Sequence, residues 1–141
     1  MTNYEESKEV NEIAKELIPK MGWLDLPRIK FLVLIAERSS YLGKCSKATG
    51  KWRHLTSQDY VIEVFEKYWS TATIEQKQAL LFHELLHIIS KEKDDGTIVW
   101  GIRKHEVEEF LRVVEEYGAW SLPLVELLKA HIEYESNKKV I

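Results

Sequence analysis

The chain has 141 residues, 45% hydrophobic and 30% charged, and its 20 Lys plus Arg against 23 Asp plus Glu give a net charge of −3. This length suits a single domain spanning residues 1–141, and the slightly acidic balance lacks the basic excess of a dedicated nucleic-acid binder. The longest apolar run, Phe31 to Ala36, is far short of the roughly 20 residues that cross a bilayer as a helix, the N-terminus carries no basic-then-apolar signal, and the single cysteine, Cys45, fits a reducing, cytoplasmic setting.

Between Tyr4 and Pro19, Val10, Ile13, Ala14, Leu17 and Ile18 recur at steps of three and four, which predicts an amphipathic helix. Pro19, Gly22 and Pro27 punctuate its end and the loop beyond. The run Ile29 to Ala36 is short and rich in branched residues and predicts a buried strand. Residues 37 to 59 are polar, contain Gly43 and Gly50, and predict turns with one or two short strands. Tyr60 to Tyr68 predicts another strand, followed near Thr71 by a helix start with a Thr cap and an acidic first turn. Glu75 to Ser90 contains no Gly or Pro and is apolar on nearly every side, the pattern of a helix at the centre of a domain. Lys91 to Trp100 predicts a charged loop turning at Asp94-Asp95-Gly96, with Thr97 to Trp100 extended. Glu106 to Tyr117 predicts a second helix stopped by Gly118. Leu122 to about Tyr134 predicts a third, with Pro123 tolerated in its first turn, before a frayed tail.

Within the apolar helix stands His83-Glu84-Leu85-Leu86-His87, the pattern HExxH. Residues i and i+4 share a helix face, so both imidazoles project toward one point, where each nitrogen can reach a zinc ion at about 2.0–2.1 Å. Glu84 is turned roughly 100° from His83, beside the metal, where a carboxylate can take a proton from a water held there. Two His and a Glu in so apolar a helix are costly without partners or a metal.

A catalytic zinc takes three protein ligands and leaves a position open. Of the other histidines, His54 sits in a basic polar stretch and His131 on the last helix. His105 stands after a loop long enough to fold back on the motif, at the mouth of the next helix, and is the expected third ligand. Val107, Phe110, Leu111, Val114 and Tyr117 define the buried face of that helix, so the ligand assignment needs His105 at or before its first turn. Glu106, at the edge of that face, is the alternative. Glu108 and Glu109 suit solvent, or a hydrogen bond that orients His105.

Ala79-Leu-Leu-Phe-His-Glu-Leu-Leu-His-Ile88 followed by His105-Glu-Val-Glu-Glu-Phe110 resembles the phage metallopeptidase family, which belongs among the zincins and is similar to the SprT-like and Spartan-like proteases. The resemblance implies an α+β, zincin-like fold. In it a small β-sheet packs on a central HExxH helix, with further helices N- and C-terminal. It also implies His83, His87 and His105 as ligands to one zinc per chain and Glu84 as the catalytic acid/base. The DNA-binding and partner-binding segments of Spartan-like proteases have no counterpart here.

Lys44, Lys47, Lys51, Arg53 and His54 around Trp52 resemble a nucleic-acid patch, but with no larger basic surface a solvated hairpin or loop is the better reading. The five tryptophans suit core or cleft wall, with Trp100 the one placed to line the site. Tyr60, Tyr68 and Tyr117 are candidates to stabilise an oxyanion, and Cys45 is isolated from any cluster.

The function expected is a cytoplasmic zinc metallopeptidase acting on a peptide or protein substrate, without membrane or nucleic acid as partner. The strand at Tyr60–Tyr68 is the candidate edge for docking substrate by strand addition. Two alternatives stand: a non-catalytic, zinc-stabilised binding module whose site is closed by a fourth ligand, or a regulatory protease acting on a phage or mobile-element repressor in the manner of ImmA-like metalloproteases.

Overall fold

A computed structural model describes residues 2–104, 116–117 and 122–138. The chain divides into two compact units, Met1–Arg103 and Lys104–Ile141.

In the first unit, β1 (Asn3–Glu5) leads to α1 (Lys8–Leu17). The helix begins at Lys8 because Ser7 caps it, its hydroxyl accepting from the Val10 amide at 3.3 Å. Val10, Ile13, Ala14 and Leu17 form its buried face, as the periodicity predicts. Tyr4, which the sequence places in this helix, instead pairs with Leu34 as part of β1. A 3₁₀ turn at Ile18–Met21 closes α1, and Gly22 leaves it in the left-handed region at φ 68°.

β2 (Ile29–Ile35), β3 (Gly43–Lys47) and β4 (Tyr60–Phe65) complete a mixed four-stranded sheet in the order β1-β2-β4-β3. β2 runs parallel to β4, and β3 antiparallel to it. Strict alternation buries Tyr60, Ile62 and Val64 completely. β4 is therefore interior, which corrects the expectation that Tyr60–Tyr68 offers an edge; the edges are β1 and β3. It also stops at Phe65, because Glu66–Trp69 turns into the one-turn helix α3. The polar stretch contains one unpredicted helix, α2 (Gly50–Thr56), which has no side-chain cap hydrogen bond.

The basic residues of that stretch are divided among separate partners. Arg53 pairs with Asp59, the Lys47 ammonium donates to the Trp100 carbonyl, and Lys44 lies over the Tyr41 ring.

α4 (Ile74–Leu86) starts with a capping box: the Gln76 amide donates to the Thr73 hydroxyl at 3.2 Å, and the Thr73 amide to the Gln76 side chain at 2.9 Å. Leu81 and Leu85 join α1, Phe31, Ile62 and Val64 in one core cluster. The apolar girdle of α4 is less complete than its sequence suggests. Phe82 is 38% and Leu86 39% exposed, so one face is buried and the other meets solvent. The helix also ends four residues earlier than predicted. The His87 amide bonds the Glu84 carbonyl at 3.2 Å, a tightened last turn, and branched Ile88 and Ile89 enter a strand.

That strand, β5 (Ile88–Glu92), forms an antiparallel hairpin with β6 (Ile98–Ile102). Its turn falls at the predicted Asp94-Asp95-Gly96, with Gly96 at φ 83°. In the second unit α5 (Leu122–Lys138) carries exposed Leu127, Leu128 and Ile132. The helix predicted at Glu106–Tyr117 falls outside the described residues apart from 116–117. Among the described residues no helix is long and apolar enough to cross a membrane.

Candidate metal centre

The last turn of α4 and its cap bring three donors together. His83 and Glu84 are helical, and His87 is the C-cap with helical dihedrals, so the i, i+4 relation survives the early end of the helix. The two imidazole rings are 5.0 Å apart at 77°. One ligand atom from each of His83, Glu84 and His87 lies within 4.8 Å of the others, and among the described residues this is the group of three such donors that the fold assembles. His83 Nε2 is 3.9 Å from Glu84 Oε1.

The three side chains sit at different depths. The His83 side chain is half exposed, His87 is intermediate, and Glu84 is only 3% exposed. Burial pushes the Glu84 carboxyl above the usual carboxylate range, opposed by the His87 imidazole. Its flank is formed by Gly43 on the edge strand. A Cβ there would stand 3.2 Å from Glu84 Cγ and Oε1 and 3.0 Å from Leu80 Cδ1. Gly43 is not in the left-handed region, so close approach is what favours glycine at this position.

His87 is held twice by one residue. Its Nδ1 lies 2.6 Å from the Arg103 carbonyl, and its own carbonyl accepts from the Arg103 amide at 2.6 Å. A carbonyl can only accept, so Nδ1 carries the proton and the lone pair of the neutral ring is on Nε2. Metal-ligating histidines are commonly oriented by such a contact. Two imidazoles and a carboxylate of this kind form a donor set that fits a divalent transition metal.

Of the predicted site residues, His83, Glu84 and His87 are assembled. His105 and its alternative Glu106, with Glu108 and Glu109, lie outside the described residues. His54 on α2 is exposed, and His131 on α5 lies 3.9 Å from Glu135 one turn on; neither belongs to the group. The buried Tyr60 hydroxyl donates to the Gly101 carbonyl at 2.7 Å, which removes it from the oxyanion candidates. Trp100 packs edge-on against Trp23 and Tyr60 at the border of the core. The Cys45 thiol is pushed up to about 12, chiefly by burial and then by Glu84, so it stays protonated at neutral pH.

Two contributors were missed by sequence reasoning. The Arg103 carbonyl is backbone and carries no residue-type signal. Gly43 was visible only as a turn residue, because its role depends on which helix crosses β3.

No curated protein and no solved structure matches the chain. The family model described as "Putative phage metallopeptidase" matches residues 2–133, nearly the whole length. With His83, Glu84 and His87 gathered at one helix end, the chain belongs to that metallopeptidase family.

Proposed function

We propose that the chain is a zinc-dependent, zincin-like peptidase, with residues 1–141 acting as one domain, a reading supported by a family match that runs through both compact units. The observation that carries it is the His83–Glu84–His87 group, whose donors lie within 4.8 Å with the carboxylate buried between the imidazoles and β3. His83 and His87 would hold the zinc. His105 would be the third ligand. It stands two residues after Arg103 in the sequence. Glu106 is the alternative.

A zinc ion bound there supplies Lewis acidity toward a water and a scissile carbonyl. Glu84 is the general base. It takes the proton of the attacking water on a carboxylate oxygen and delivers it to the departing amine nitrogen. Its low exposure and raised affinity for a proton suit a group that must hold one briefly. An extended peptide would add to β3, the edge strand that meets Glu84 at Gly43, and not to interior β4. The single Cys45 supports a cytoplasmic setting.

Elemental analysis tests the centre. One zinc per chain is expected in the wild type and in Glu84→Gln, and loss of zinc in His83→Ala, His87→Ala and His105→Ala. Undiminished zinc in His105→Ala moves the third ligand to Glu106. Glu84→Gln should lower cleavage of a peptide library by about 10²–10⁴ with zinc retained. A zinc closed by four protein ligands would instead favour the non-catalytic binding module.

A further inference from the structure

Tyr60 opens β4 beneath the β5–β6 hairpin. Its ring is fully buried, and its hydroxyl donates to the Gly101 carbonyl of β6 at 2.7 Å. Lys47, its register partner on β3, donates from its ammonium to the preceding carbonyl, that of Trp100, at 2.6 Å. The Trp100 ring closes over the same point, 6.4 Å edge-on from Tyr60. Two consecutive peptide units of β6 are therefore tied to paired residues of the main sheet.

An isolated two-stranded hairpin is marginal in water, so such ties decide where its backbone lies. β6 continues in register with β5 through Gly101↔Ile89 and Ile102↔Ile88, and the next residue is Arg103. Arg103 is the residue whose amide and carbonyl hold the backbone and ring of His87, each at 2.6 Å. The path from the Tyr60 hydroxyl to the His87 imidazole thus runs from the Gly101 carbonyl through only Ile102 and Arg103.

We propose that Tyr60 is a positioning residue of the metal centre: through Gly101 it places the Arg103 carbonyl, and so sets the tautomer and orientation of the His87 ring. Lys47 supports the same tie from the edge strand. The effect on metal affinity rests on the zinc reading above; the effect on the ring does not.

The test compares wild type, Tyr60→Phe, Lys47→Met and Trp69→Phe. The last removes a buried-side hydrogen bond, Trp69 Nε1 to Glu9 at 2.8 Å, that joins α3 to α1 away from the hairpin. Nitrogen-15 spectra of the metal-free proteins at mildly alkaline pH report the His87 tautomer. Competition against a chromophoric chelator reports zinc affinity, and melts of the metal-free proteins report stability. In wild type and Trp69→Phe a single Nδ1–H tautomer is expected, and in Tyr60→Phe a mixture. Tyr60→Phe should lose about tenfold in zinc affinity, the low end of what outer partners of metal ligands contribute, with Lys47→Met changed in the same direction and less.

An unchanged tautomer and unchanged zinc affinity in Tyr60→Phe overturn the proposal, as does an equal affinity loss in Trp69→Phe, which would make the effect one of general stability. Should Tyr60→Phe not fold, Lys47→Met decides through the same readouts. A wild type that binds no zinc overturns the metal reading instead, and the tautomer still judges the role of Tyr60.

Discussion

The two ends of α4 are built in opposite ways. At the N-terminal end Thr73 and Gln76 satisfy each other's backbone across three residues of sequence. At the C-terminal end the last turn closes on its own backbone, the His87 amide meeting the Glu84 and Leu85 carbonyls, and the donor side chains are held from farther along the chain. The His87 ring is held by Arg103, sixteen residues on, and Glu84 lies against Gly43, forty-one residues back. The locally sealed end starts the helix, and the end completed from a distance carries the His83–Glu84–His87 group. A site assembled by long-range contacts can be tuned by the hairpin and the edge strand without disturbing how the helix begins.

The largest expected effect strikes the floor beneath the chemical end. Leu85 is fully buried, one residue after Glu84. Leu85→Ala should lower unfolding stability by about 2–5 kcal/mol in denaturant titration. If the loss is near zero, the C-terminal turn is not anchored in the core and the contrast between the ends fails.

Gly43→Ala probes the same end with less force. Backbone strain is absent, but the new methyl crowds Leu80 and Glu84, which must give by a few tenths of an ångström. Displacing the proposed base should lower kcat by about tenfold, since an ångström can cost about 10²-fold. Zinc content should stay at the wild-type level. Wild-type kcat would show that Glu84 does not depend on the close approach of β3.

The opposite end is sharpened by Thr73→Ala. Loss of the cap should cost about 1 kcal/mol of stability, while zinc affinity measured in the folded protein stays unchanged. A parallel loss of affinity would mean that the two ends of the helix are coupled.

The smallest effect lies at the start of β4, beside Tyr60. Burial alone would raise the Asp59 carboxyl, but the Arg28 amide at 2.8 Å, the Arg28 guanidinium and the Arg53 guanidinium at 2.9 Å outweigh it and hold it below its ordinary value of 3.8. A carboxyl depressed in the folded state contributes stability that is complete above its ordinary value and lost as pH falls below it, through the folded value. Asp59→Asn should therefore cost about 0.5 kcal/mol at neutral pH and flatten the acid limb of a stability profile below pH 3.8. An acid limb identical to wild type would remove Asp59 from the joint that seats β4.

What the sequence determined by itself was whatever depends on neighbours along the chain. The stripe of α1, the branched run of β2, the hairpin turn at Gly96 and the HExxH spacing are periodic or local. Each survives in the structure because three- and four-residue steps and turn chemistry act within one element. The His83–Glu84–His87 group follows from that level, while the α+β class is implied by the family resemblance that these residues carry. The tertiary structure alone decided the rest. Ile88 and Ile89 match a helix or a strand equally well in isolation, and pairing with Gly101 and Ile102 made them β5. The Tyr60–Phe65 strand shows the same alternation at an edge or in the interior, and the order β1-β2-β4-β3 placed it inside. The tautomer of His87 and the setting of Glu84 depend on a backbone carbonyl and a missing side chain. Neither has a sequence signature, because a peptide group is the same at every residue and the space beside a glycine belongs to whichever element packs there.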